Sequence, residues 1–141
     1  MNTAAKVRCG IYAAVAVAAL VATWSQNLSY GGWDFLSRFL PDTAVTPASR
    51  SITADILLLF LSAAILMVVE GRKHNVRFVW AYIAGGFLVA ISVTFPLFLI
   101  ARERRLAAEG AASPRLGAVD IALLTVVTLA LAGVTLWVDT R

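Results

Sequence analysis

The sequence predicts an all-α integral membrane protein with four transmembrane helices and one short amphipathic helix in the first loop. Of its 141 residues, 60% are hydrophobic and only 14% are charged, whereas soluble domains have about 25% charged residues. The apolar residues are concentrated in four long uncharged runs, and charged residues lie at the edges of those runs. A soluble core of this size could not bury so much apolar surface, so the excess indicates contact with lipid.

The four uncharged runs predict transmembrane helices at about 9–28, 52–69, 78–101 and 118–138, all within a single membrane domain. Lipid offers no hydrogen-bond partners to the backbone, so a spanning segment is either a helix or part of a closed barrel. Barrel strands would alternate apolar and polar residues, and the run ADILLLFLSAAILMVV does not. Pro96 is expected to kink the third helix near its end.

The long first loop contains an amphipathic stretch at about 32–40. Its apolar residues recur at helical spacing, opposite Asp34 and Arg38; they are Trp33, Leu36, Phe39 and Leu40. The pattern predicts a short helix lying in the membrane interface. Packing of the same side chains against the helical bundle is the alternative.

Basic residues flank the apolar runs and do not form one stripe. The net charge of +4 therefore predicts contact with membrane lipids and not with nucleic acid. We expect Glu70 to pair with Arg72, and Glu103 to pair with its neighbouring arginines. The candidate contacts with lipid headgroups or a partner chain are Arg72, Lys73, Arg102, Arg104 and Arg105.

Four crossings would place both termini on one side of the membrane. The side of the termini would hold Lys6, Arg8, Arg72, Lys73, Arg77 and Arg141, and the other side Arg38, Arg50, Arg102, Arg104, Arg105 and Arg115. Lysine and arginine normally accumulate on the cytoplasmic side, but these two sets are equal in size. We expect cytoplasmic termini because the first helix usually dominates orientation; a balanced count also fits a chain that inserts in both orientations.

Several spaced polar positions carry a family resemblance. Asp55 opens the second run and Glu70-Gly71-Arg72-Lys73 closes it, Trp80 begins the third run, and Pro96-Leu97-Phe98-Leu99 precedes Arg102-Glu103-Arg104-Arg105-Leu106. This combination resembles a family of small bacterial membrane proteins catalogued as a domain of unknown function. The resemblance implies a bacterial inner membrane, about three helices and no established activity, so the helix at 118–138 is expected to be an addition.

Two polar side chains on the second run form a candidate site. Asp55 and Ser62 are seven positions apart and therefore share one helix face. They could form a proton or cation site between helices. The alternative is that Asp55 stabilises the helix N-terminus or pairs with Arg50.

No cofactor or metal is expected. His74 is the only histidine and Cys9 the only cysteine, and their spacing suits neither haem nor zinc. We expect His74 to be a solvated loop residue.

Small residues recur at four-residue intervals and are candidates for helix packing. They are Ala14, Ala18 and Ala22, then Gly85, Gly86 and Ala90 followed by Thr94, and finally Ala118, Ala122, Thr125 and Ala132. Such ridges let helices approach closely in lipid, within one chain or between chains.

No catalytic triad, phosphate loop or metalloprotease motif is present in the sequence. The sequence therefore predicts that the protein is not an enzyme and acts as an accessory or scaffold subunit, homo-oligomeric or part of a larger membrane complex. One alternative is a small proton- or cation-coupled transporter using Asp55, for which a dual-topology dimer is one arrangement. Another is a binder of a quinone, carotenoid or other isoprenoid, with a cleft lined by Trp80, Tyr82, Phe87 and Phe95.

Overall fold

The computed structural model describes residues 1–111 and 116–141, apart from the side chain of Leu36. The helices found there are α1 (Thr3–Asn27), α2 (Asp34–Asp42), α3 (Pro47–Lys73), α4 (Val79–Gly85), α5 (Ile91–Ala108) and α6 (Ala118–Asp139). A 3-10 turn at Leu28–Tyr30 follows α1, and a π-helical turn at Gly86–Ala90 joins α4 to α5. The described part of the chain contains no strand, which confirms the all-α prediction.

Four helical segments within these residues are long and apolar enough to cross a membrane, which confirms the predicted class. They are Thr3–Tyr30, Pro47–Lys73, Val79–Ala108 and Ala118–Asp139. Arg115, which was counted in the charge comparison, lies outside the described residues.

Local capping explains why two helices begin before their apolar runs. The Asn2 side chain accepts a hydrogen bond from the amide of Ala5 at 2.9 Å, so α1 starts at Thr3. Thr46 and Ser49 form a reciprocal capping box, and Pro47 occupies the first turn, so α3 starts at Pro47. The polar first turns are thus helical although they carry no hydrophobic signal.

The third apolar segment is folded back on itself. Ala90 has an extended backbone (φ 177°, ψ 143°) between the π-helical turn and α5. The rings of Tyr82 and Phe98 lie 5.9 Å apart, whereas sixteen residues of straight helix would separate them by about 24 Å. Residues Val79–Ala108 therefore form an antiparallel pair, the α4–α5 hairpin. The sequence had suggested a kink near Pro96, but that residue lies inside α5 and the break is at Ala90.

The turn of the hairpin is apolar and is supported by α1. Its residues, GFLVAIS at 86–92, include one hydroxyl and no charge. The indole Nε1 of Trp24 donates to the carbonyl oxygen of Val89 at 3.1 Å. Irregular backbone is tolerated at membrane depth only where other protein groups satisfy it. Trp24 supplies such a group where the helix is interrupted.

Specific contacts fix the direction of each helix. Arg8 contacts Glu103 and Trp24 contacts Val89, so α1 runs antiparallel to α5. Arg102 of α5 contacts Glu70 of α3, so both helices end together. Hence the start of α1, the end of α3 and both ends of the α4–α5 hairpin share one end of the bundle, which we call the basic end.

The last helix returns to the other end. The Gln26 side chain at the end of α1 donates to the carbonyl oxygen of Asp139 at 3.3 Å. We call this side, which includes residues 27–46, the loop end. The N-terminus therefore lies at the basic end and the C-terminus at the loop end. This arrangement contradicts the expectation that the termini lie on one side, because the α4–α5 hairpin returns to the end from which it started.

The core lies between α3, α4 and α5. Met67 and Phe98 are fully buried, and the remaining members of the cluster are Phe60, Ala63, Val76, Val79, Ile83 and Ile91. Glycines make the close packing possible. A Cβ on Gly71 would overlap the Val79 side chain, and one on Gly86 would lie 2.6 Å from Cε2 of Phe60.

The helix expected at 32–40 is present as α2. Phe35 is half-buried and stacks near Trp24 with ring centroids 6.4 Å apart. Phe39 is 38% exposed, and its ring centroid lies 5.0 Å from that of Phe35. Trp33 and Leu40 are exposed. The helix therefore contacts the bundle through Phe35 and exposes the apolar side chains of Trp33 and Leu40. Packing on the bundle and contact with the membrane interface, the two interpretations of the sequence pattern, are thus compatible.

Candidate functional site

Six titratable side chains meet at the basic end and form a connected cluster, the ionic network. They are Arg8 of α1, Glu70 of α3 and His74 just after it, Arg102 and Glu103 of α5, and Glu109 just after that helix. The network joins three helices that are far apart in sequence.

Glu103 is the most enclosed member, with a side chain only 7% exposed. Both of its oxygens accept hydrogen bonds from Arg8, with Nη2 2.8 Å from Oε2 and Nε 3.3 Å from Oε1. Two-point contact matches the planar guanidinium to the carboxylate and is stronger than a single bond. This pair ties α1 to α5.

Arg102 points instead to α3. Its Nε and Nη2 each lie 2.6 Å from Oε2 of Glu70. The same oxygen is 3.5 Å from Nε2 of His74, whose Nδ1 is 2.9 Å from Oε2 of Glu109. Because both ring nitrogens face carboxylate oxygens, His74 can donate to both only as the imidazolium. These contacts join α3 to α5.

The network is suited to holding helices together. Each of its three carboxylates faces a side-chain nitrogen of Arg8, Arg102 or His74. Among the described side chains, every buried nitrogen and oxygen has a hydrogen-bond partner. In the same part of the chain, no three His, Cys, Asp or Glu residues are arranged to hold a metal ion.

Sequence reasoning found the charges of the network and the contact of Glu103 with Arg102, where Nη1 lies 4.0 Å from Oε1, but it did not find the closer pairs. Glu70 pairs with Arg102 and not with Arg72, and the two-point partner of Glu103 is Arg8. His74 is buried (8% exposed) and not solvated as expected. The spacing of these residues carries no signal for the pairs, because the pairs exist only when the α4–α5 hairpin returns to the basic end.

The other basic candidates lie outside the network. Arg72, Lys73 and Arg104 are exposed, and Arg105 is half-buried. None of them makes an ion pair within the described residues. Within the motif Arg102-Glu103-Arg104-Arg105, the first two residues therefore belong to the ionic network and the last two do not.

Two clefts flank the short loop between α3 and α4. The first, of about 730 Å³, is bordered by Arg72, Arg77 and Arg105 and by the rings of Phe78 and Trp80. The second, of about 560 Å³, lies between α4 and α5 and is bordered by Arg77, Arg104 and Arg105. No acidic side chain is among the described residues that line either cleft.

The structure does not bring Asp55 and Ser62 into one site. Both are exposed on α3. The Ser62 hydroxyl donates to the carbonyl oxygen of Leu58 at 3.0 Å in its own helix. Arg50, the other suggested partner of Asp55, donates to the carbonyl oxygens of Ala44 and Val45. The two residues therefore share a face without forming a polar pair.

The small-residue ridges divide into buried and exposed sets. Gly86 is buried against Phe60, and Gly85 and Ala90 are half-buried in the hairpin. Ala14 and Ala18 are exposed and Ala22 is half-buried, because α1 packs through a neighbouring face that contains Ala5 and Ala16. The four α6 positions are all exposed.

The four aromatic residues suggested for an isoprenoid cleft are dispersed. Trp80 borders the first cleft and Tyr82 the second. Phe87 packs on Phe60 with ring centroids 4.2 Å apart, and Phe95 packs against the core. They do not line one common cavity.

Comparison with known proteins identifies the family. A model described as "Protein of unknown function DUF2834" matches residues 11–104, which is more than half of the chain. The chain therefore belongs to the DUF2834 family, as the sequence resemblance implied. The match ends before α6. No curated protein and no solved structure matches the chain.

Proposed function

We propose that this DUF2834 family member is a non-catalytic structural subunit of a multi-pass membrane assembly, and that α6 packs against a second copy of the chain. The observation that carries the proposal is the isolation of α6. This helix has no buried residue, whereas α3 and α5 both contribute to the core. Helices associate in lipid through close van der Waals contact, and α6 has almost none within its own chain.

The surface of α6 favours another apolar helix as its partner. Its threonine hydroxyls bond to its own backbone; Thr125, for example, donates to Ile121 at 2.8 Å. Close approach at Ala122, Thr125 and Ala132 therefore needs no new polar partner. A second copy supplies the same apolar face, and a two-fold pair would bury both.

Crosslinking tests this assembly. In a Cys9→Ser background, Ala122→Cys is expected to form a disulfide-linked dimer in native membranes upon mild oxidation. Leu57→Cys, exposed on α3, is the matched control and should remain monomeric. Ala132→Leu should weaken the α6 crosslink because its larger side chain separates the helices.

A monomer with no crosslink at Ala122→Cys in membranes would overturn the dimer. Equal crosslinking at both positions would show random collision and would also overturn it. Stoichiometric recovery of a different protein crosslinked at Ala122→Cys would replace the second copy with that partner.

The course of the chain also supports an orientation in which the basic end faces the cytoplasm. At that end are Lys6, Arg8, Arg72, Lys73, Arg77, Arg102, Arg104 and Arg105, and at the loop end are Arg38, Arg50 and Arg141. Among the residues that the structure describes, eight basic side chains against three give a clear bias under the positive-inside rule. In this arrangement the α4–α5 hairpin enters and leaves the bilayer from the cytoplasm, and the C-terminus is outside.

Cysteine accessibility tests the orientation and the hairpin together. In the Cys9→Ser background, Ser29→Cys at the loop end should react with a membrane-impermeant maleimide in intact spheroplasts. Ala111→Cys, which follows α5, should react only after lysis. If Val79–Ala108 instead crossed the membrane once, both positions would lie on the same side. Labelling of both in intact spheroplasts would therefore contradict the proposed course.

The transporter alternative receives less support from the geometry. Asp55 lies on an exposed face of α3 and not in the packed interface with the α4–α5 hairpin. The larger basic count at one end also favours one orientation over dual topology. Unchanged proton flux in Asp55→Asn proteoliposomes is the outcome expected from a structural subunit.

A further inference from the structure

We propose that the paired clefts at the basic end bind the phosphate headgroup of an anionic glycerophospholipid. The site would be formed by Arg77 and Arg105, which border both clefts, with Arg72 on one side and Arg104 on the other. Nothing in the proposed dimerisation through α6 requires this site, and its test is independent of that proposal.

The clefts carry positive charge that no acidic side chain among the described lining residues compensates. Glu70 and Glu103 are already engaged by Arg102 and Arg8, and Glu109 lies 2.9 Å from Nδ1 of His74. The four cleft arginines make no ion pair with described residues. Guanidinium groups favour phosphate because they can donate two parallel hydrogen bonds to its oxygens.

The clefts combine arginines from two separate parts of the chain. Arg72 and Arg77 follow α3, whereas Arg104 and Arg105 end α5, some thirty positions later. The fold-back at Ala90 brings these two groups to the same end of the bundle. A straight third helix would place them at opposite ends, so the cleft is a product of the hairpin.

The apolar part of the cleft walls favours a lipid over a free anion. Below the arginines, the cleft walls are apolar and aromatic, with Phe78 77% exposed and Trp80 62% exposed. Aromatic side chains at the edge of an apolar segment are typical of the lipid interface. A lipid would contact both the basic and the apolar part of the cleft. Its phosphate would lie at the level of the arginines, and its acyl chains would lie along Phe78 and Trp80. A soluble phosphate would contact only the basic part.

The test uses the full-length protein in nanodiscs and native mass spectrometry, with phosphatidylglycerol and phosphatidylcholine as the two probes. We expect at least about tenfold preferential retention of phosphatidylglycerol. Arg77→Gln/Arg105→Gln should remove most of that preference. Arg38→Gln/Arg141→Gln, which removes the same charge at the loop end, is the matched control and should retain it. Arg105→Lys should show an intermediate preference, because it keeps the charge and loses the paired donors.

Each other outcome overturns the lipid site. Equal retention of the two lipids would show no headgroup recognition, and equal loss in both double variants would show only a general charge effect. Competition of phosphatidylglycerol binding by millimolar inorganic phosphate, with tight phosphate binding in the absence of lipid, would assign the cleft to a soluble anion. Far-UV circular dichroism of each variant verifies that the helices are retained.

Discussion

Replacing Glu103 by glutamine is expected to destabilise the protein by about 3 kcal/mol, because removing one partner of a buried ion pair typically costs about 3–5 kcal/mol. The side chain of Glu103 is 7% exposed and that of Arg8 is 17% exposed. In Glu103→Gln the Arg8 guanidinium would face a neutral amide at a position where water cannot fully solvate it. The partial exposure of Arg8 places the expected cost at the lower part of the range. The measurement is the free energy of unfolding in mixed detergent micelles.

Two further variants separate the ion pair from simple packing. Asp55→Asn makes the same chemical change at an exposed position and should alter stability by less than about 0.5 kcal/mol. Arg8→Met/Glu103→Leu replaces both charges by apolar groups and should recover most of the lost stability. If Glu103→Gln were as stable as the parent, the pair would not hold α1 against α5.

Gly86→Ala is expected to destabilise the α4–α5 hairpin by about 1–3 kcal/mol, the usual cost of overpacking a core. The added Cβ would lie 2.6 Å from Cε2 and 3.0 Å from Cζ of Phe60. Phe60 is itself packed against Phe87, so its ring cannot move away without disturbing a second contact. Unfolding in mixed micelles, followed by tryptophan fluorescence, measures the loss.

Gly10→Ala is the matched control, because Gly10 is also helical and nothing lies within 4 Å of its Cβ position. It should stabilise its helix by about 0.5–1 kcal/mol, since glycine pays the larger backbone entropy. Phe60→Leu combined with Gly86→Ala should be more stable than Gly86→Ala alone, because the smaller side chain makes room for the new methyl group. A Gly86→Ala protein as stable as the Gly10→Ala protein would contradict close packing at the hairpin.

The membrane class and the helical segments were predictable because they depend on quantities that add along the chain. Residues 78 to 101 carry no charge. This segment therefore partitions favourably into lipid because of its own composition, whatever the positions of the other helices. The absence of charge also makes the hairpin impossible to recognise from the sequence. Residues 86–92 are apolar whether they continue a straight helix or turn inside the bilayer, so the turn lacks the polar residues that mark loops in water.

For the candidate sites too, the sequence predicts which residues are polar, and the tertiary structure decides which of them meet. Arg102 and Arg105 belong to one basic motif in the sequence, yet one is bound to Glu70 and the other borders both clefts. Their positions on α5 and the placement of α3 decide between these roles. Asp55 and Ser62 share a helix face as predicted, but neither meets a polar partner from another helix.

The sequence by itself determined that this protein is a helical membrane protein of the DUF2834 family, because apolar length and charge position are local properties of the chain. Only the tertiary structure decided which charges meet and at which end each terminus lies. The physical reason is the single extended residue at Ala90: it reverses the direction of α5 and moves three arginines and two glutamates to the other end of the bundle.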